Sequence, residues 1–356
     1  TKAPTLTSTW EFMYWDTNFN NVQADLEVRP VFSRLERIYT VNWHDANGNV
    51  IATRTTTYTG NLTFPGLDLP DKPNGVLWIG WDTETTNIQA DLEVYPIYLE
   101  PRLPAVKPSG YTHLYSDDPN DISAYSKEEL YGIAYNHKAD IYFDFGDKIK
   151  IAMTAQTASV IADEEIEFTY ELRNHFMRAD GTEFANVFFG MTNCLKANRS
   201  MRGSQNNEGG YPETTMCSWL NNTLYPVLPQ WLRRVIAEVL VRSTAGHQST
   251  EIVTTPCKLF LRSVVEVGLS SGGATDGYAG EVDPNAEAKT SSIYTNNTSR
   301  LKKLYGGTSN TAWWLRSPYL TSDTNFANVN NNGNLNNNNA TNSNGVSFGS
   351  SSAENK

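Results

Sequence analysis

The chain has 356 residues, with 39 acidic against 28 basic side chains and a formal net charge of −11. That length allows two or three domains, and an acidic balance without a Lys/Arg cluster argues against nucleic acid or an anionic membrane as partner. Aromatic residues make up 12% of the chain, which excludes a wholly disordered polymer. No apolar run approaches the ~20 residues of a membrane span, so no membrane insertion is expected.

The chain opens on Thr1 without a signal pattern and reads as a fragment or processed product. Two stretches then align at an offset of 66 residues: WDTNFNNVQADLEVRPVF from Trp15 and WDTETTNIQADLEVYPIY from Trp81, identical at eleven of eighteen positions. Such self-similarity signals a modular array. Between the copies, Asn47-Gly48 separates two β-rich arms, a strong hairpin signal. These features, VNWHDANGNVIAT, GWD and ADLEVYPIYLEP, resemble the internalin-type B repeat, a β-grasp-like module strung along Gram-positive surface proteins and phage proteins. The resemblance covers about residues 1–102 and implies a spacer or stalk. The expected division is a partial module over 1–33 and a full one over 34–102, then a Pro-rich linker over 103–110.

The rest, 111–356, reads as one α+β domain. Ser126-Lys-Glu-Glu129 is a capping-box pattern that predicts a short helix over ELYGIAY. Strand-like runs follow in DIYFDF, KIKIAMTA, EIEFTYEL and ANVFFGM. LPQWLRRVIAEVLV places Leu228, Leu232, Val235, Ile236 and Val239 at helical spacing, which predicts a second helix. CKLFLRSVVEVGL, from Cys257 to Leu269, reads as a strand entering a loop, and Ser270 to Lys289 as a long surface loop.

The succession SWLNNTLYPVLPQWLRRVI, KLFLRSVVEVG, WWLRSP and FANVNNNGNLNNNNATNSNGVSFG resembles a bacterial and phage domain family with the C-type-lectin-like fold of the variable proteins of diversity-generating retroelements. That fold is also similar to the formylglycine-generating enzymes. The resemblance spans about 215–349. The family's usual ending is GVAFGFCL or GVRPAF; GVSFGSSSAENK departs from it, so the last strand is expected to be altered or truncated. The fold class expected is therefore α+β, a C-type-lectin-like domain at the C-terminus preceded by small all-β repeat modules.

The tail carries the functional signal. Twelve of the twenty residues from Asn325 to Asn344 are Asn; the others include Phe326, Ala327, Val329, Gly333, Leu335 and Ala340. Asn is encoded AAC or AAT, whereas Phe, Ala, Val, Gly, Trp and the CTN Leu codons carry no adenine in their first two positions. A mutator acting on adenine rewrites every Asn and spares that scaffold. Single adenine changes convert Asn into Tyr, Thr, Ser or Asp, the types found at Tyr319, Thr321, Ser322, Asp323 and Thr324. Diversity-generating retroelements work this way, in agreement with the resemblance. Val329 and Leu335 flank Asn332-Gly333 as a hairpin, with apolar residues facing the core and Asn facing water. Asn, Tyr and Ser also suit a paratope.

The expected ligand-binding set is Tyr319, Thr321, Ser322, Asp323, Thr324, Asn325, Asn328, Asn330, Asn331, Asn332, Asn334, Asn336, Asn337, Asn338, Asn339, Thr341, Asn342 and Asn344. Trp313, Trp314, Arg316 and Gly333 form its scaffold, with Arg316 expected to fix a buried carboxylate or backbone carbonyls through its planar fork.

Catalysis is not expected. Cys194, Cys217 and Cys257 read as three semi-buried thiols without evident pairing, and the five His form no HxH or HExxH. Asp163-Glu164-Glu165 reads as a solvated turn, and Ser270-Ser-Gly-Gly-Ala-Thr-Asp-Gly lacks a phosphate-loop lysine. No cofactor is expected. Calcium enters only through Asp276, Glu281 and Asp283, oxygen donors on one long loop. The expected function is a surface-displayed binding protein on a virion or cell surface, most plausibly phage-borne, taking a bacterial cell-surface protein or glycan. It is expected as a homo-oligomer or attached to a particle. The alternatives are a bacterial adhesin, a structural or capsid-decorating virion protein and, ranked last, a formylglycine-generating-type enzyme.

Overall fold

A computed structural model describes residues 7–66, 69–104, 122, 125–162, 165–269 and 277–352. The chain divides into two compact units: residues 1–71 with 78–98, and residues 72–77 with 99–356.

The first unit is built from β1 (Ser8–Trp15), β2 (Pro30–Glu36), β3 (Ile38–His44), β4 (Val50–Thr57), β5 (Leu77–Trp81), β6 (Leu92–Val94) and β7 (Pro96–Leu99). β1 and β2 form their own antiparallel ribbon. β3 and β4 form the hairpin expected at Asn47-Gly48: Gly48 takes φ +85°, and Asp45 accepts the Asn47 and Asn49 amides. β6 joins β3 in parallel, closing a core of Tyr39, Val41, Trp43, Ile88 and Val94.

The second unit opens with α1 (Lys127–Tyr135), whose capping box is present as Ser126 with Glu129, and α2 (Ala139–Tyr142). Then come β8 (Lys148–Ala152), α3 (Ala155–Ile161), β9 (Glu165–Leu172), β10 (Val187–Met191), α4 (Thr215–Trp219), α5 (Gln230–Val235), β11 (Ile236–Ala237), β12 (Val239–Gly246), β13 (Ser249–Cys257) and β14 (Phe260–Leu261). β15 (Lys302–Lys303), β16 (Asn310–Thr311), β17 (Trp313–Pro318), β18 (Asn325–Val329), β19 (Leu335–Asn339) and β20 (Phe348–Ser352) complete it. The main sheet runs β11-β20-β10-β9-β8, with β14 also on β20. The altered ending GVSFGSSS is thus not a lost strand: β20 pairs with β10, β11 and β14.

The α+β, C-type-lectin-like expectation is corrected. The molecule is mostly β, 38% strand against 15% helix, with a curled half-barrel sheet, which places it in an all-β class. One error is local. The helical spacing from Leu228 to Val239 covers a helix of only six residues, and Ile236 to Gly246 is extended. β-branched side chains are stiff at χ1 and pack well on a pleated surface, and here the neighbouring strands outweigh the 3.6-residue pattern. The partner strand β13 pairs with β12 from Val239↔Cys257 to Gly246↔Ser249. In CKLFLRSVVEVGL, Cys257 closes β13 and only the two-residue β14 follows before the chain turns. The expected linker beyond Pro104, Asp163-Glu164 and Ser270 to Asp276 lie outside the described residues.

Candidate binding surface

The frame under the asparagines is β17. Trp313, Trp314, Leu315 and Arg316 are fully buried. Trp313 Nε1 donates to Arg300 O at 3.0 Å, and Trp314 Nε1 to Arg199 O at 2.7 Å. Arg316 spans both roles its planar fork suggested. Nη1 and Nη2 donate to the Glu266 carboxylate at 2.7 and 2.5 Å, and further bonds reach the carbonyls of Arg242, Leu261 and Glu281. Two Leu-Arg-Ser triplets, 261–263 and 315–317, lie side by side: the Arg316 amide donates to Arg262 O at 2.8 Å, and the Val264 amide to Ser317 Oγ at 3.0 Å. Arg262 has its own buried carboxylate, Glu171, which also accepts from Tyr294. Gly190 leaves the room for that guanidinium, since a Cβ there would lie 1.8 Å from Arg262 Nη2.

The buried acids are tuned by these partners. Glu266 is depressed to about 2, against its burial, by the charge of Arg316 and its bonds to His175 and Arg316. Burial pushes Glu281 up to about 7 although Arg316, Ser317 and the Thr244 amide favour its charge.

β17, β18 and β19 form a three-stranded antiparallel sheet. Ala327 and Val329 are fully buried in a core with Trp313 and Leu315, against which Leu335 and Tyr319 pack. The asparagines stiffen their own turns. Asn330 Oδ1 accepts the amides of Asn332 and Asn334, and Asn339 Oδ1 accepts from Thr341. These are Asx-type contacts, the local chemistry that lets Asn hold a turn. Asn325 Nδ2 donates to Asn337 Oδ1 at 2.5 Å, and Asn297 Nδ2 to Asn334 Oδ1 at 2.7 Å.

Gly333 is required twice over: φ is +81°, and a Cβ would stand 2.0 Å from Asn297 O. Gly333→Ala should therefore cost about 1–3 kcal/mol, the range for backbone strain of this kind. Urea unfolding measures it; a cost under ~0.5 kcal/mol would mean the hairpin tip simply moves aside.

The expected ligand-binding residues divide into three groups. Thr321, Asp323, Asn331, Asn332, Asn334, Asn336 and Asn342 are exposed. Tyr319, Ser322, Thr324, Asn325, Asn330, Asn337, Asn338, Asn339 and Thr341 are half-buried. Asn328 and Asn344 are buried, which corrects the expectation that every Asn faces water. Asn328 lies mid-strand, registered between Trp314 and Asn336, and neither amide atom has a hydrogen-bond partner among the described residues. Asn328→Leu, near-isosteric, should therefore stabilise the unit by about 1–3 kcal/mol, the usual cost of a buried unpaired amide. A loss of stability in urea unfolding would show instead that an internal water satisfies the amide.

Three supporting residues carry no motif and were not singled out from sequence. Asn207, fully buried in the polar stretch SQNNEGG, donates from Nδ2 to Ser322 O and Asn325 O at 2.7 and 2.9 Å and accepts the His247 amide. It ties the loop after β17 to the β12–β13 turn. Arg199 exchanges both backbone bonds with Asn344, and the Arg202 amide donates to Ala340 O. Pairing with distant backbone gives no sequence periodicity to read.

The thiols differ from expectation in one respect. Cys217 and Cys257 approach to 3.7 Å between sulfurs, both buried; Cys194 is separate, its thiol pushed up to about 12 by burial. Of the calcium candidates, Glu281 is buried and accepts from Thr244 and Ser317, Asp283 lies 3.9 Å from Arg242, and Asp276 is outside the described residues. Among the described residues no three His, Cys, Asp or Glu are grouped to hold a metal, and no helix is long and apolar enough to cross a membrane.

No curated protein and no solved structure matches the chain. Residues 185–347, which run from the start of β10 through the whole asparagine hairpin, match a family described as Domain of unknown function (DUF6273).

Proposed function

We propose that this chain is a surface-displayed binding protein whose face, carried by β18, β19 and their flanking turns, is diversified by adenine-directed mutagenesis. The observation that carries the reading is a sorting of residue types. Trp313, Trp314, Phe326, Ala327, Val329 and Ala340, whose codons lack adenine in the first two positions, are fully buried, while Asn331, Asn332, Asn334, Asn336 and Asn342 are exposed. Replacing those exposed side chains changes the surface and leaves the core alone, since exposed substitutions away from special contacts typically shift stability by under about 0.5 kcal/mol. The partnerless Asn328 amide also fits a codon-level origin, because folding does not select an unsatisfied buried amide. The ligand is a bacterial cell-surface molecule bound non-covalently, the carrier a phage particle, and weak single-head affinity is raised by display in many copies.

The test is the DNA around the gene, searched for a second copy of the segment from Trp313 to Gly349. A copy beside a reverse transcriptase, differing only at its adenines, supports the reading. Absence of such a copy ends diversification as the explanation and moves a fixed, structural surface to first place.

A further inference from the structure

Beside the asparagine hairpin lies a groove of about 390 Å³ lined by Asn198, Arg199, Ser200, Thr215, Trp219 and Ser343, with Met216 buried at its base. Arg199 lies 3.7 Å over the Trp219 ring, and among the described residues its guanidinium has no hydrogen-bond or ion-pair partner. Burial lowers its pKa with no acid to offset the cost. The stack is held from both sides. The Arg199 backbone pairs with Asn344 and accepts from Trp314 Nε1, while the Thr214 side chain caps the helix that carries Trp219 and Thr215 Oγ1 donates to Met201 O.

We propose that this groove is a fixed anchor subsite of the binding face, and that it takes the carboxylate of an Asp or Glu side chain on a protein partner. The inference rests on the binding-face reading and deepens it. A guanidinium stacked flat on an indole is pre-organised, and its fork matches a carboxylate in two parallel bonds. Arg and Trp are the side chains enriched among interface hot spots, and Ser, Thr and Asn around them supply adaptable hydrogen bonds. The asparagines alone are weak anchors, so a face that varies gains from one strong contact that does not. Neither Arg199 nor Trp219 belongs to the asparagine segment; Ser343, at its end, reaches the groove rim.

The test is a ¹H–¹⁵N titration of the full chain with the tripeptide Gly-Glu-Gly, with Gly-Gln-Gly and D-glucuronate as controls, both peptides N-acetylated and C-amidated so that the Glu side chain is the only carboxylate. Gly-Glu-Gly should shift the Arg199, Ser200 and Ser343 amides saturably, and the neutral peptide should not. Arg199→Gln should weaken that binding about tenfold or more, as loss of a charge-assisted fork predicts, and Arg199→Lys should weaken it less. An unchanged thermal midpoint in both variants shows that they are folded. Equal binding of Gly-Gln-Gly, undiminished binding by Arg199→Gln, or preference for D-glucuronate overturns the proposal. Adhesion to bacterial cells, measured in parallel, separates the two readings. Adhesion that survives Arg199→Gln unchanged overturns the anchor alone. Gly-Glu-Gly binding by a chain that adheres to no cell supports the anchor and counts against the function proposed above.

Discussion

Arg316→Met should lower the stability of the second unit by about 3–5 kcal/mol, the cost of leaving one member of a buried ion pair without the other. The guanidinium is fully buried and reaches five acceptor oxygens on four residues: both carboxylate oxygens of Glu266 and the backbone carbonyls of Leu261, Arg242 and Glu281. Methionine matches the stem and none of the bonds. Glu266 would retain the Ser263 amide and His175, too little to hold its charge. The sign of the pH dependence follows from the depressed carboxyl. A glutamate held at about 2 in the folded state, against ~4.3 in the unfolded chain, adds stability that is complete above the unfolded value and is lost as pH falls toward 2. In Arg316→Met that contribution disappears, so the deficit should be largest near neutral pH and shrink below pH ~4. Urea midpoints at neutral and acid pH measure both statements. A deficit that stays constant with pH would show that Arg316 acts through packing and the carbonyls, and that Glu266 contributes little.

How far the sequence announces this architecture depends on the range of the interaction. Local signals were legible: the Ser126–Glu129 capping box, the Asn47-Gly48 hairpin, and the asparagine hairpin with Val329 opposite Leu335. Each involves residues within a turn or a strand pair, where spacing fixes geometry. The fold class was not legible, because the Leu228–Val239 pattern fits a helix face and a strand equally over so short a span, and only the partners of β12 decide between them. The paired arginines were half legible. Both Leu-Arg-Ser triplets stand in the sequence, but that they lie against each other, and that Glu171 and Glu266 answer them, is long-range packing. In the asparagine segment, residue type did not announce which positions are covered. Asn328 and Asn336 look alike in the sequence, and only the sheet buries the first and exposes the second.

Trp314→Ala should cost a further 3–5 kcal/mol, about the range for truncating a buried tryptophan. Trp314→Phe is the more informative change. The residue is fully buried, its Nε1 donates to Arg199 O at 2.7 Å, and its amide donates to Gly345 O at 3.0 Å. Phenylalanine keeps most of the apolar contact and removes only the indole donor, leaving the half-buried Arg199 carbonyl with one donor fewer at a cost of about 1–2 kcal/mol. That carbonyl also accepts the Asn344 amide at 3.1 Å, so the loss falls on the bridge between Arg199 and the end of the asparagine segment. Amide exchange should therefore quicken at Arg199 and Asn344 in Trp314→Phe, while protection in β9 and β10 stays at wild-type level, because local openings cost less than global unfolding. Uniform quickening throughout would mean that Trp314 supports the core as a whole. The selective result would locate the join between the β17 frame and the proposed binding face at one indole hydrogen bond.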